Sequence, residues 1–212
     1  MPDPIAPRLT LYHAAPSRSS TVLWMLEELG EPYELRLLDL KAGEQRRPEY
    51  LAVNPMGKVP AILHDGVLVT EAGAICLYLA DAYQGAGLAP AIGDPLRGPY
   101  VRWMFFQGNC LEPALIDKAL KREPGQAAMM PYGDIDTTVE TVARALAKGP
   151  WFLGHRFTAL DVYFGSAIRW TLQFGILPAR PEFTSYVERL KERPAYKRAE
   201  AKDAGIAARA KA

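Results

Sequence analysis

The segment Pro16-Ser17-Arg18-Ser19-Ser20 sets three hydroxyls and a guanidinium just ahead of a run with helical spacing. A hydroxyl in such a position can cap the helix, since serine is among the best N-cap residues. It can equally donate a hydrogen bond to an anion held at the helix end. Dithiol exchange would need Cys-x-x-Cys with a lowered thiol pKa; Ser17-x-x-Ser20 stands there instead and excludes that chemistry at this position. The histidines are His13, His64 and His155, and no Gly-x-Ser-x-Gly occurs, so a Ser-His-Asp hydrolase is not expected. Cys76 and Cys110 both lie in apolar helical patterns and read as two buried thiols, with no disulfide and no metal cluster. Thr158-x-x-Asp161 before an apolar run is a capping signature, with Phe157 and Val162 spaced for a hydrophobic staple; it serves folding, not catalysis.

The elements that must carry these residues follow from periodicity. Arg8 to Tyr12 alternates polar and apolar residues as a strand does, Thr21 to Leu29 has helical spacing and stops at Gly30, and Tyr33 to Leu38 is a second strand. Connection rules make those two strands parallel. Asp39 to Leu51 is looser and holds a short helix. Lys58 to Leu63 and Val67 to Val69 flank His64-Asp65-Gly66, a hairpin signal, and Glu71 to Tyr83 reads as one helix. The order β-α-β-(α)-β-β-α is that of a thioredoxin-like α/β domain, placed at residues 1–83.

Residues 84–94 contain three glycines and a proline, a linker by composition, and residues 95–212 read as an all-helical domain. Asp94-Pro95 opens its first helix. Ile135, Val139, Val142, Ala143 and Leu146 form one apolar face, and Phe183, Tyr186, Val187 and Leu190 form another. The tail from Ala199 reads as a frayed surface helix. Hydrophobic residues make up 49%, charged residues 23%, and the net charge is +1, a globular composition with no nucleic-acid footprint. Met1 to Arg8 holds three prolines and no apolar core, and the longest apolar stretch, near Ala72 to Ala82, is too short to span a membrane. The expected setting is the cytoplasm.

Four segments carry a resemblance to a known family. They are Tyr12-His-Ala-Ala-Pro-Ser-Arg-Ser-Ser-Thr-Val-Leu-Trp-Met-Leu-Glu-Glu-Leu29, Asn54-Pro-Met-Gly-Lys-Val-Pro-Ala-Ile62, Thr70-Glu-Ala-Gly-Ala-Ile-Cys-Leu-Tyr-Leu79 and Phe157-Thr-Ala-Leu-Asp-Val-Tyr-Phe164. Over nearly the whole chain the sequence resembles the glutathione S-transferases, in particular bacterial members with a serine-type active site. The resemblance implies a cis peptide at Val59-Pro60 and backbone pairing of Val59 with the cysteinyl part of glutathione. It implies that the helix N-terminus at Glu71-Ala72 receives the γ-glutamyl carboxylate, Glu71 the γ-glutamyl ammonium, and Lys58 the glycyl carboxylate. Ala72 stands where the family usually has Ser or Thr, so one hydroxyl donor is missing.

Serine-type members hold glutathione as its thiolate with a hydroxyl in the first loop. Lowering a thiol pKa from about 8.5 to about 6.5 takes roughly 2.7 kcal/mol. A hydroxyl-to-anion hydrogen bond supplies about 1.5–3 kcal/mol and a helix N-terminus about 0.3–1 more. Ser17 is the first choice, supported by Arg18, with Tyr12, Ser19 and Ser20 as alternatives. The expected reaction is conjugation of the thiolate to hydrophobic electrophiles in detoxification, with peroxide reduction as a second activity and no metal. Tyr100, Trp103 and Phe106, at helical spacing, are candidates for the electrophile site. A glutathione-dependent isomerase or dehalogenase stays open, and so does a non-catalytic ligand- or protein-binding member, which Ala72 and the Ala14-Ala-Pro-Ser loop without a glycine before the serine keep in play. A homodimer is implied, and the surplus of Leu96, Trp103, Met104, Phe105, Phe106 and Leu111 over one helical stripe agrees with an interface or a ligand groove. No nucleic-acid or membrane partner is expected.

Overall fold

The computed structural model describes residues 8–123 and 125–209. The opening segment Met1 to Arg8, read above as lacking an apolar core, lies, apart from Arg8, outside the described residues. By their contacts the residues form two compact units, one made of the chain up to Leu79 together with the segment from Pro194, the other running from Ala80 to Arg193.

In the first unit, β1 (Leu9–His13), α1 (Ser19–Leu29) and β2 (Glu34–Leu37) make the β-α-β start, with β1 and β2 parallel. A 3-10 turn at Glu44–Arg46 and the short α2 (Pro48–Leu51) follow. β3 (Ala61–His64) and β4 (Val67–Thr70) form an antiparallel hairpin, and α3 (Ala72–Ala82) comes next. The sheet order is β2-β1-β3-β4, with β1 and β3 antiparallel. Asp65 and Gly66 both have positive φ, 49° and 82°, the conformation that a two-residue hairpin requires and that Asp-Gly tolerates. Leu9, Leu11, Val22, Leu23, Met25, Ile62, Ile75 and Cys76 are fully buried and hold sheet and helices together. This is the thioredoxin-like order expected from the sequence.

The tail corrects one expectation. Instead of fraying from Ala199, α9 (Pro194–Arg209) runs as one helix and packs along α1, within the first unit. Ala195 and Ala199, one turn apart and both buried, let the two helices approach closely, and the Trp24 and Tyr196 rings meet edge-on at 5.0 Å. Beside them Glu27, 6% exposed, accepts from Arg198 Nε at 2.8 Å, Lys202 Nζ at 2.5 Å and Tyr33 Oη at 2.5 Å. Burial alone would raise the Glu27 pKa; the hydrogen bonds from Lys202, Tyr33 and Arg198 outweigh it and hold the carboxyl below its ordinary value.

The second unit is helical: α4 (Arg97–Phe106), a π-turn at Gln107–Leu111, α5 (Glu112–Ala119), α6 (Ile135–Leu146), α7 (Ala159–Gln173) and α8 (Pro181–Lys191). Asp94 Oδ1 accepts from Leu96 N at 2.8 Å, so the expected cap serves a turn and the helix proper begins at Arg97. The capping box forms at the start of α7. The Asp161 carboxylate accepts from the backbone N–H groups of Phe152 and Thr158 and from Tyr186 Oη, each at 3.0 Å. Burial nevertheless pushes its pKa up to about 6 against those bonds. Among the described residues no helix is long and apolar enough to cross a membrane.

Candidate functional site

Strand register gathers the candidate residues at one end of the sheet. Tyr12 pairs with Ala61, and Ala61 with Thr70, so the C-terminal end of β1, the start of β3 and the end of β4 stand in one row. With strands about 4.8 Å apart, the loop after β1, the loop before β3 and the turn after β4 open side by side over roughly 10 Å. An extended peptide of three residues spans about that length.

The loop after β1 holds the hydroxyls. Its Ala15–Pro16 bond is cis, a feature the sequence reading did not anticipate. Ser17 is half-buried, and its Oγ accepts the backbone N–H of Ser19 at 3.1 Å and lies 2.7 Å from Ser19 Oγ. Ser19 is fully buried, which removes it as a direct donor to any ligand; its Oγ accepts from Ala14 N at 3.1 Å and lies 2.8 Å from His13 Nδ1. Ser20 is half-buried and Arg18 exposed. The other rival, Tyr12, packs its ring at a tilt against Tyr50 with centroids 5.6 Å apart, and Arg36 lies over it at 5.9 Å. Alternation along β1 sends Tyr12 to the face opposite Leu11 and His13.

Val59–Pro60 is cis. The loop before it is braced by two residues that the sequence reading passed over: Tyr50 Oη and Asn54 Nδ2 both donate to the Lys58 carbonyl, at 2.6 and 2.8 Å. Burial pushes the Tyr50 phenol up to about 12, keeping it a donor. Gly57 sits at φ 59°, and a Cβ there would lie 2.8 Å from the Gln45 carbonyl, so the turn needs glycine. Lys58 itself is exposed, Val59 half-buried and Pro60 buried.

Glu71 occupies the left-handed region at φ 66°, unfavourable for a side chain with a Cβ, and its carbonyl accepts from Ile75 N at 2.8 Å. Such strain concentrates at ligand sites because the surrounding structure must hold it. The bend leaves Glu71 exposed at the mouth of α3, whose first N–H groups, from Ala72 on, have no partner within the helix.

In the second unit Tyr100 is fully buried, which takes it out of the set of side chains able to touch an electrophile. Trp103 and Phe106 are half-buried, 5.1 Å apart between centroids, with the Arg102 guanidinium 3.8 Å from the Trp103 ring and 4.6 Å from the Phe106 ring. Trp103 also packs edge-on to Phe152 and Phe164. Of the surplus apolar residues, Met104 and Leu111 turn inward, whereas Leu96 and Phe105 remain exposed.

A thioredoxin-like sheet with a cis-proline loop, a hydroxyl loop and a strained helix entry at one end defines the class of thiol- and glutathione-handling domains. The comparisons agree: the family model described as "Glutathione S-transferase, N-terminal domain" matches residues 7–81. The chain is 29% identical to glutathione S-transferase GstA of Escherichia coli O157:H7, over 80% of this chain and 86% of that one. It is 30% identical to the disulfide-bond oxidoreductase YfcG of Escherichia coli K12, over 88% of this chain and 92% of that one. A solved glutathione transferase homologue from Sulfitobacter, with bound glutathione, superimposes with a TM-score of 0.75 at 29% identity, covering 93% of this chain and 98% of that one. The chain belongs to the glutathione S-transferase family.

Proposed function

We propose that the protein binds glutathione across the end of the sheet and activates it as a thiolate for conjugation to hydrophobic electrophiles. The observation that carries this reading is the row Tyr12–Ala61–Thr70, which sets the segments that hold Ser17, Val59 and Glu71 at one end of the sheet. In this reading Ser17 meets the sulfur, with Arg18 as a nearby positive charge. The Val59 backbone pairs with the cysteinyl residue, Lys58 with the glycyl carboxylate, and Glu71 and the Ala72 N–H with the γ-glutamyl end. Trp103 and Phe106 contact the electrophile, and the protein works as a cytoplasmic homodimer. Glutathione is the co-substrate and no metal takes part; peroxide reduction follows from the same thiolate.

Retention on immobilised glutathione, followed by conjugation of a generic aryl halide, tests the proposal. Retention with turnover supports it; retention without turnover leaves a binding protein only; no retention rejects it. A second reading, glutathione-dependent disulfide reduction, is favoured by the likeness to YfcG. With serines in the first loop, both reducing equivalents would come from two glutathione molecules, which leave as their disulfide.

A further inference from the structure

The hydroxyl loop does not end at Ser19. His13, fully buried, has its Nδ1 2.8 Å from Ser19 Oγ and its Nε2 2.9 Å from Asp203 Oδ1 on α9. Ser17 Oγ, Ser19 Oγ, the imidazole and the Asp203 carboxylate thus form one continuous chain with links of 2.7, 2.8 and 2.9 Å. Of the two serines only Ser17, at the outer end, is half-buried and open to the glutathione sulfur, whereas Ser19 is enclosed.

Proton positions along the chain are set by its inner end. Asp203 accepts, so His13 Nε2 carries a hydrogen and, in the neutral ring, Nδ1 accepts from Ser19 Oγ–H at 2.8 Å, the nearer of that hydroxyl's two acceptors, the other being the Ala14 carbonyl at 3.2 Å. Ser19 Oγ, which already accepts the Ala14 N–H, then accepts the Ser17 hydroxyl hydrogen as well. Ser17 Oγ, which already accepts the Ser19 N–H, is left with a lone pair facing outward. In this setting Ser17 offers the incoming thiol an acceptor.

We propose that His13, paired with Asp203, is the base that takes the glutathione proton, through Ser17 and Ser19. The S–H bond breaks as a Ser17 O–H forms, the former Ser17 proton passes to Ser19, and the former Ser19 proton passes to His13 Nδ1. The products are a thiolate and an imidazolium, so charge and protons balance with no outside acid or base. Afterwards every link points the other way: His13 donates to Ser19, Ser19 to Ser17, and Ser17 to the thiolate. Neither serine exceeds its two acceptor sites in either setting. Asp203 stabilises the buried cation and holds the ring's orientation, as a carboxylate does behind a catalytic histidine. Of the other charged groups, Arg198 and Lys202 of α9 both donate to Glu27 of α1, and Arg18, between the two serines, is exposed. His13 and Asp203 are positioning residues that act through Ser17, and the inference rests on the reading of Ser17 as the hydroxyl at the sulfur.

The wild-type protein tests it directly. Glutathione is titrated near neutral pH in two buffers of different ionisation enthalpy, thiolate absorbance is followed in parallel, and the three histidines are observed by nitrogen-labelled NMR. The relay requires that thiolate form while less than about half a proton per thiolate reaches the buffer, and that the His13 ring turn to imidazolium. Thiolate formation with a full proton released and His13 neutral would overturn the relay and leave the transferase reading intact. Glutathione bound as a neutral thiol would also overturn it, and no binding at all would sink both. Asp203→Asn keeps an acceptor for Nε2–H without the charge; its kcat should fall by about tenfold or more with glutathione KM within about twofold, and Asp203→Glu should restore part of the rate. An unchanged kcat in Asp203→Asn would also refute the relay.

Discussion

Replacing Ser17 by alanine separates thiolate activation from glutathione binding. A hydroxyl-to-anion hydrogen bond contributes about 1.5–3 kcal/mol, and at 1.36 kcal/mol per unit its loss raises the bound thiol's pKa by about 1–2 units. A helix N-terminus alone offers about 0.3–1 kcal/mol, so the variant's bound thiol should titrate near 8. Turnover near pH 6.5 should then fall by about tenfold or more, and the gap should close toward pH 9, where the thiol ionises without help. Glutathione affinity should change little, because the neutral thiol gains less from the hydroxyl. The substitution also removes the acceptor for the Ser19 N–H at 3.1 Å. That lost hydrogen bond costs about 1 kcal/mol, a fall of about 2–4 °C in Tm for a chain of this size. The assay is thiolate absorbance against pH on the glutathione complex, with conjugation rates across the same range. Unaltered thiol titration and turnover in Ser17→Ala, with Tyr12→Phe inactive, would refute the reasoning and move the role to the phenol.

Glu71→Ala should weaken glutathione binding by about 1.5–3 kcal/mol, or about 10- to 150-fold, by calorimetry; equal affinities would mean that Glu71 serves only the helix entry. Glu27→Gln should cost about 2 kcal/mol near neutral pH, the low end for a buried ion cluster because Arg198 and Lys202 can turn to water. The folded-state pKa of Glu27 is lowered, so its contribution is present above the ordinary carboxylate range and lost as pH falls through the lowered value. Urea unfolding at several pH values should therefore show the two proteins converging in acid; a constant difference would refute the assignment. Light scattering at micromolar protein should give about twice the single-chain 23.4 kDa, and a single-chain mass persisting at high concentration would reject the dimer.

Much of the first unit was legible in the sequence because its signals are local. The stop at Gly30 and the Asp65-Gly66 turn depend on neighbours a few residues apart, and the structure carries both. The same holds for Thr158 and Asp161, whose box closes over three residues. Even His13 had a trace, since Leu9, Leu11 and His13 fall on one face of an alternating strand and a polar ring on a core face needs partners.

What the ring bonds to was beyond local reading. Asp203 lies 190 residues away, in an Ala- and Lys-rich stretch whose weak periodicity gives no sign of burial. Only packing of α9 along α1, set by Ala195, Tyr196, Ala199 and the charges around Glu27, brings its carboxylate to the imidazole. The same distinction separates Ser17 from Ser19: the sequence offers equivalent hydroxyls, and the tertiary structure encloses one and leaves the other half-open. Sequence determines which groups can hydrogen-bond and how the backbone turns near them. Which of those groups lose water, and which meet across the chain, is decided by how helices and sheet pack, because burial and long-range contact belong to the assembled fold and not to any short stretch of residues.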